Sequence, residues 1–377
     1  MTNNTYKIAF IVEDFSTLGG IQIVTNHLIN FFGEEGVPVW GIIGETNQAY
    51  NTPFVNYPSH IKLLTIKDID DIVETLYRNN ITHTIIQTFH LRRSYELIKK
   101  LKEKHIKTIF FFHNTPNIYV ENFAYDKKVY KRIKDYLRMK YSNRSKYYKF
   151  YLNNIVEICD NFLVLSENIV KETKLLVAKN LHHKIDYIYN ILPLQFSNKP
   201  FYQKEKSIVF AGRLTWYKGC LVSVKALAPL LKEYPDWNFY LLGDGEEYHD
   251  IKKFLDENNI KNIHLCGRVN NVYEYLDKSK ICLLYSLHEG LPTILLEAGY
   301  FNNTLISYKS RGGVPDIIQN GVNGFIVDNT KNLHKKIKFL IENENKMESM
   351  AMNNKNIFAK FNPQKVIEKW HSILNLK

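Results

Sequence analysis

Short apolar runs rich in β-branched and aromatic residues recur along the first half of the chain, with amphipathic stretches between them. KIAFIV (7–12), VPVWGII (37–43), HTIIQT (83–88), KTIFFF (107–112) and NFLVL (161–165) have the length and composition of buried strands. Between them, IQIVTNHLINFF (21–32) and SYELIKKLKEK (94–104) repeat their apolar residues at helical spacing. Strand and helix in alternation predict βαβ units, because parallel neighbours need a crossover before the chain can re-enter the sheet in the same direction. The expected class is α/β, with helices on both faces of a parallel sheet.

The alternation lapses at NILPLQFSNKPFYQKEKS (190–207), where two prolines and polar residues break any sustained period, as in an interdomain linker. It resumes with SIVFAG (207–212), NFYLLG (238–243), NIHLCG (262–267), KICLLYS (280–286), TLIS (304–307) and GFIV (324–327). Two Rossmann-like domains are therefore expected, one over 1–195 and one over 196–362, followed by an amphipathic helix in the tail 363–377. Ligands of open α/β sheets bind beyond the carboxyl ends of the strands. Two such sheets predict a site in a cleft where their carboxyl edges face each other.

Composition narrows this picture in one respect. Of 377 residues, 45% are hydrophobic and 23% charged, the ordinary balance of a globular chain, which excludes long disorder. No window reaches the ~18–20 apolar residues that span a bilayer. The first apolar run is short and followed by Glu13 and Asp14, unlike a signal peptide. Cys159, Cys220, Cys266 and Cys282 are too scattered for a zinc site or disulfide framework, which points to a reducing cytoplasm. The net charge of +12 is uneven: KKVYKRIKDYLRMKYSNRSKYYKF (127–150) holds ten Lys and Arg against the single Asp135.

The chemistry-bearing motifs fall at strand ends. ICLLYS leads into LHEGLPTILLEAGYF, where Gly290 permits close backbone approach and Pro292 suits the first turn of a helix. Free amides there favour an anion such as a diphosphate. Glu297 follows Glu289 by eight residues, about 12 Å along a helix, so one carboxylate could serve a sugar and the other the ribose of one nucleotide. Among Leu295, Leu296 and Ala298, Glu297 is expected to be partly buried and in need of hydroxyl donors. The plainer alternative makes Glu289 a capping carboxylate.

AGRLTWYKG (211–219) places Arg213 and Lys218 on one loop, flanked by Gly212 and Gly219, where two cations can balance the charge developing on a departing diphosphate without a metal. STLGGIQ (16–22) offers Gly19 and Gly20 at a helix start, a weaker signal that also fits a tight turn. FFFHNTP (110–116) ends a strand with His113, and LLGDG (241–245) and LCGRV (265–269) end strands with Gly243 and Gly267, where a base or ribose could lie against backbone. Asp68 and Asp70 form a D-x-D, the metal-binding pattern of another transferase architecture, but at the start of KDIDDIVETLYR they read as helix-capping carboxylates.

In this order, HEGLPTILLEA, AGRLTWYKG, LLGDGEE, LCGRV and RGGVPDIIQNGVNGFIV resemble the retaining family 4 glycosyltransferases of bacterial surface-polysaccharide type, with their E-x7-E motif and GT-B fold. The resemblance covers most of 205–330 and extends more loosely to LGGIQIVTNHL, FFFHNTP and LVLSE. It implies an enzyme that moves a hexose or N-acetylhexosamine from a UDP-linked donor to a glycan or lipid-linked acceptor, with neither metal nor cofactor. By the same resemblance, Arg213 and Lys218 hold the diphosphate, Glu289 and His113 border the transferred sugar, and Glu297 binds ribose. The amides of Gly290, Leu291, Pro292 and Thr293 would line sugar and phosphate, proline contributing no N–H; Gly243 and Val269 would lie by the nucleoside, and Gly19 and Gly20 by phosphate or acceptor. Gln22 stands where many relatives carry Glu, which removes a charge from the acceptor side. The last helix of this fold commonly crosses back onto the first domain.

Other readings of the same residues are another GT-B enzyme, such as a sugar-nucleotide epimerase, and a non-catalytic partner subunit of the same fold. The basic segment 127–150 interleaves its cations with Tyr130, Tyr136, Tyr141, Tyr147, Tyr148 and Phe150. Such a segment suits docking on the anionic inner face of the cell membrane, with a solvated helix face as the plain alternative. Nucleic acid is not an expected partner.

Overall fold

The computed structural model describes residues 6–15, 20–45, 55–88, 90–116 and 143–375. Gly19 and residues 127–142 of the basic segment lie outside them. The chain forms two compact units, one running to Pro193 and resuming at Phe361, the other spanning Leu194–Lys360. No helix among the described residues is long and apolar enough to cross a membrane.

The first unit is built on β1 (Ile8–Asp14), β2 (Val39–Glu45), β3 (Lys62–Thr65), β4 (His83–Gln87), β5 (Lys107–Phe112), β6 (Asn161–Val164) and β7 (Ile185–Tyr187). They pair in parallel in the order β3-β2-β1-β4-β5-β6-β7. Ile8, Ala9 and Phe10 in β1 are fully buried, as a strand flanked by helices on both faces requires. Two strands carry no apolar-run signal: β3 is exposed at both ends, and β7 has three residues of which only Ile185 is buried. Asp68 caps the helix Ile69–Arg78, accepting from the Asp70 and Asp71 amides, which spends the D-x-D on a helix start.

The tail forms the helix Pro363–Leu374, with Asn362 as its cap and Pro363 in its first turn. It belongs to the first unit. Its buried Trp370 meets Phe32 and Phe111 edge-on, each at 5.7 Å between ring centres, a favoured aromatic geometry.

In the second unit, β8 (Glu205–Ala211), β9 (Asn238–Leu242), β10 (Ile263–Gly267), β11 (Ser279–Leu284), β12 (Thr304–Tyr308) and β13 (Gly324–Val327) form a parallel sheet ordered β10-β9-β8-β11-β12-β13. Every residue of β11 is buried. Sheet order reverses between β8 and β11, and the crevice beside such a switch point is where open α/β sheets take ligands. Ahead of β8, the buried Lys204 gives its ammonium to the carbonyls of Leu276 (3.2 Å), Asp277 (2.6 Å) and Ser279 (3.1 Å). Burial draws its pKa down to about 8.

Candidate active site

The loops after β8 and β11, the two strands at the switch point, carry the cations and carboxylates singled out above. After β8 the chain passes Gly212 and Arg213, makes a short turn over Trp216–Lys218, and enters the helix Cys220–Glu233 through left-handed Gly219. After β11 it runs through Ser286, Leu287 and His288 to Glu289, and the next helix spans Thr293–Tyr300. The two loops are stitched by backbone: the Leu287 amide donates to the Tyr217 carbonyl at 2.8 Å. Across that seam, Lys218 Nζ donates to Glu289 Oε1 at 2.5 Å, and both side chains are largely buried. Arg213 is exposed and has no carboxylate within ion-pair distance among the described residues.

This corrects the expected path of the glutamates. Glu289 lies four residues before the helix Thr293–Tyr300 and caps nothing, and Pro292 stands just outside as its N-cap residue. Glu289 and Glu297 are thus related by a loop plus one helical turn, not by a continuous helix. Pro292 offers no side-chain cap, and the amides of Thr293 and Ile294 find no acceptor among the described residues. Their positive end is left for an anion.

Glu297 is mostly enclosed, with no hydrogen-bond or ion-pair partner for its carboxylate among the described residues. Burial raises its pKa to about 7. On the preceding helix, Val272–Lys278, Tyr273 feels the same carboxylate: burial first, then Glu297, push its phenol up to about 12. A hidden acceptor without donors suits the hydroxyls of a ligand.

Glycines set how closely the loops approach. Gly243 follows β9 at φ +135°, and a Cβ there would lie 1.9 Å from the Gly212 carbonyl oxygen. Gly312, at φ +101°, would place a Cβ 1.7 Å from the carbonyl oxygen of Glu289 itself. The Glu289 amide donates to the Arg311 carbonyl (3.0 Å) and Gly313 donates to Gly290 (2.6 Å), so the Arg311–Gly313 backbone holds the Glu289 loop from behind. The paired glycines of RGGV were the signal for this support. Glu246 and Glu247 also matter: Glu246 accepts from the Trp216 amide (3.1 Å), and Glu247 accepts from Leu221 (3.1 Å) at a helix start whose cap residue is a glycine. Both lie in the LLGDGEE motif, which carried the resemblance without a role for either glutamate.

Of the other expected residues, Leu291 and Pro292 are buried, while Gly290, Thr293 and Val269 are partly exposed, Val269 lying just beyond β10. In the first unit, His113 follows β5 directly, stacked at 4.2 Å and a tilted angle on Phe111. Its Nε2 is buried without a hydrogen-bond partner among the described residues, and burial alone lowers its pKa to about 3, so the ring is neutral. Gly20 opens the helix Gly20–Glu34, exposed, with no atom of the described residues within 4 Å of where a Cβ would be. Gln22 donates to the Asp14 carbonyl at 2.5 Å, tying the first turn of that helix to the end of β1.

Residues 193–357 match the family model described as Glycosyl transferases group 1. The chain is 30% identical over 222 residues to an uncharacterized glycosyltransferase of Haemophilus influenzae, covering 58% of this chain and 62% of that protein, just under two thirds of its length. It is 29% identical over 311 residues to a Campylobacter jejuni GalNAc-alpha-(1->4)-GalNAc-alpha-(1->3)-diNAcBac-PP-undecaprenol alpha-1,4-N-acetyl-D-galactosaminyltransferase, covering 80% of this chain and 81% of that one. In three dimensions it resembles TarM, with a TM-score of 0.79 at 14% identity over 98% of this chain and 99% of the other. It also resembles Anabaena HepE in complex with UDP and glucose, with a TM-score of 0.75 at 14% identity over 98% and 99%. At that identity the structures establish the architecture, two Rossmann-like halves of the GT-B type. The likeness to group 1 glycosyltransferases is thus carried by residues 193–357, which hold the ordered donor-side motifs, while the likeness of architecture runs over nearly the whole chain.

Proposed function

We propose that the chain transfers a hexose or N-acetylhexosamine from a UDP-linked donor to a glycan or lipid-linked acceptor in surface-polysaccharide synthesis, with retention of anomeric configuration. The single observation that carries this reading is the Lys218–Glu289 contact at 2.5 Å, formed between the two switch-point loops beside an Arg213 with no carboxylate partner among the described residues. Such a cluster suits a diphosphate on one side and a sugar hydroxyl on the other. The Campylobacter relative is named for an undecaprenol-linked acceptor and N-acetylgalactosamine transfer, and the Anabaena structure holds UDP and glucose. Both support the substrate class.

In this mechanism the acceptor hydroxyl attacks the anomeric carbon on the face the diphosphate leaves. The bond from that carbon to the phosphate oxygen breaks as the new glycosidic bond forms, and the acceptor proton passes to the departing phosphate. Arg213 and Lys218 stabilise the charge that develops there. Glu289 is drawn from Lys218 to the sugar, and Glu297 accepts from the ribose hydroxyls. His113, neutral and on the acceptor-side unit, offers a hydrogen bond rather than a charge. The two cations make a divalent metal dispensable, so transfer survives EDTA.

Labelled UDP-sugar with a lipid-linked acceptor, followed by NMR of the product anomer, tests the reading. An α-linked product from an α-donor is expected. Inversion, epimerised nucleotide sugar without an acceptor, or a wild-type rate in Glu289→Ala would overturn it.

The same proposal places the enzyme in the cytoplasm, peripheral on the inner membrane face. Within the described part of the basic segment, Tyr147 and Phe150 are 51% and 59% exposed on the helix Asn143–Ile158, next to exposed Lys146. Exposed rings beside cations suit an anionic lipid surface. Flotation with anionic liposomes, lost at high salt and in Tyr147→Ser/Phe150→Ser, is expected; equal flotation with neutral lipid would remove the membrane role.

A further inference from the structure

A contact that no motif contains organises the cation loop. Tyr217 and His288, one from each switch-point loop, stack with their rings 5.3 Å apart and only 8° from parallel. The same Tyr217 ring has the Arg213 guanidinium carbon and the Lys218 ammonium each 6.0 Å from its centre. Its backbone is held as well, since the Tyr217 carbonyl accepts from the Leu287 amide at 2.8 Å and from the Ser286 hydroxyl at 3.4 Å. That one hydroxyl hydrogen is shared with the nearer His288 carbonyl at 3.0 Å, which ties the two backbones together.

Arg213 and Lys218 are long side chains that lose rotamer freedom when they are fixed on a ligand. An aromatic face within reach of both attracts them through its quadrupole and narrows the volume they sample. The Glu289 carboxylate draws Lys218 alone; for Arg213 the ring is the described side-chain contact.

We propose that Tyr217, braced by His288, is a positioning residue that pre-sets Arg213 and Lys218 for the donor diphosphate. This rests on the reading of those two cations as the diphosphate site. The ring touches neither the reacting atoms nor the sugar; it acts through the cations. Its loss therefore weakens diphosphate recognition and leaves nucleoside recognition alone.

The experiment is calorimetric binding of UDP, GDP and dTDP, taking whichever binds most tightly, against its own nucleoside. Donor KM and kcat are measured in parallel, with melting temperature as a folding control. Tyr217→Leu is expected to weaken the diphosphate about tenfold and raise KM in proportion, with nucleoside affinity within twofold of wild type. Tyr217→Phe, which keeps the ring face, is expected to restore affinity to within threefold, and His288→Ala to cost about threefold where His288→Phe does not. Arg213→Ala and Lys218→Ala serve as the reference. If they weaken the diphosphate and Tyr217→Leu does not, the positioning role is wrong and the diphosphate site stands. If neither they nor Tyr217→Leu weaken it, both fall. Equal loss of nucleoside and diphosphate in Tyr217→Leu, without rescue by Tyr217→Phe, would show a structural role and overturn the proposal.

Discussion

The carboxyl edges of the two sheets use glycine for different ends. In the second unit, Gly243 and Gly312 are wedged against carbonyl oxygens of neighbouring loops, and the loops they join carry Arg213, Lys218 and Glu289. In the first unit, a Cβ on Gly20 meets no atom of the described residues within 4 Å, and nearby Gln22 is spent on the Asp14 carbonyl. One edge is locked by backbone contact into a charged cluster; the other shows, among the described residues, a neutral His113 sealed behind its strand end. The difference suits a second unit that must hold a charged ligand in one geometry.

The largest test of that contrast is Lys218→Ala, which removes one cation and leaves Glu289 largely buried without its partner. A loss in kcat of ~100- to 1000-fold is expected, the scale of removing one preorganised charge-stabilising group; steady-state kinetics would show it. Next comes Gly312→Ala, whose methyl would collide with the Glu289 carbonyl. Displacing that loop by about 1 Å is expected to cost roughly 100-fold in transfer. A wild-type rate would mean the loop is less tightly held than the contact implies.

Glu297→Gln should weaken nucleotide binding about tenfold, on the scale of a charge-assisted hydrogen bond, and yet stabilise the empty protein. Folded Glu297 titrates near 7 against an ordinary 4.5, so between those values the folded state holds a proton that the unfolded state has lost. Stability then falls as pH rises through that window, by about 3 kcal/mol once both states are ionised. The glutamine variant lacks this slope and should melt higher than wild type at pH 8, but not at pH 4. Binding of ribose hydroxyls favours the carboxylate, so wild-type nucleotide affinity should rise from pH 6 to pH 8, with proton release on calorimetry.

In the first unit, His113→Ala is expected to lower kcat about tenfold, the low end of what a positioned polar side chain contributes. It should leave the pH–rate profile unshifted between pH 5 and 9, because the wild-type ring is already neutral there. The smallest effect belongs to Gly20→Ala. The methyl meets no atom of the described residues and alanine favours a helix, so stability should hold or rise by ~1 kcal/mol, read as an unchanged or higher melting temperature. Transfer should fall only about threefold, through a ligand that approaches the helix start; unchanged transfer would remove Gly20 from the site.

Much of this molecule was legible in the chain because the signals are local. The apolar runs marked eleven of the thirteen described strands; β3 and β7 escaped because one is half exposed and the other too short to show a period. Asp68 read correctly as a cap, since capping is decided by the next three residues. Arg213, Lys218, Glu289 and Glu297 were legible as chemistry, because cations and carboxylates at strand ends have few structural uses. The expected helix between the glutamates was wrong by four residues. The Arg311–Gly313 backbone holds Glu289 in a loop, and sequence periodicity does not register a contact made from 22 residues downstream.

The sequence by itself therefore determined the α/β class, the two-unit plan and the identity of the charged residues. These follow from periodicity and composition over a few neighbouring positions. Only the tertiary structure decided that Lys218 meets Glu289, that Glu297 is left without a donor, and that Tyr217 and His288 stack across the seam. The physical reason is distance along the chain. Those contacts join residues about 70 positions apart, and the burial that shifts Glu297 comes from packing that no local pattern contains.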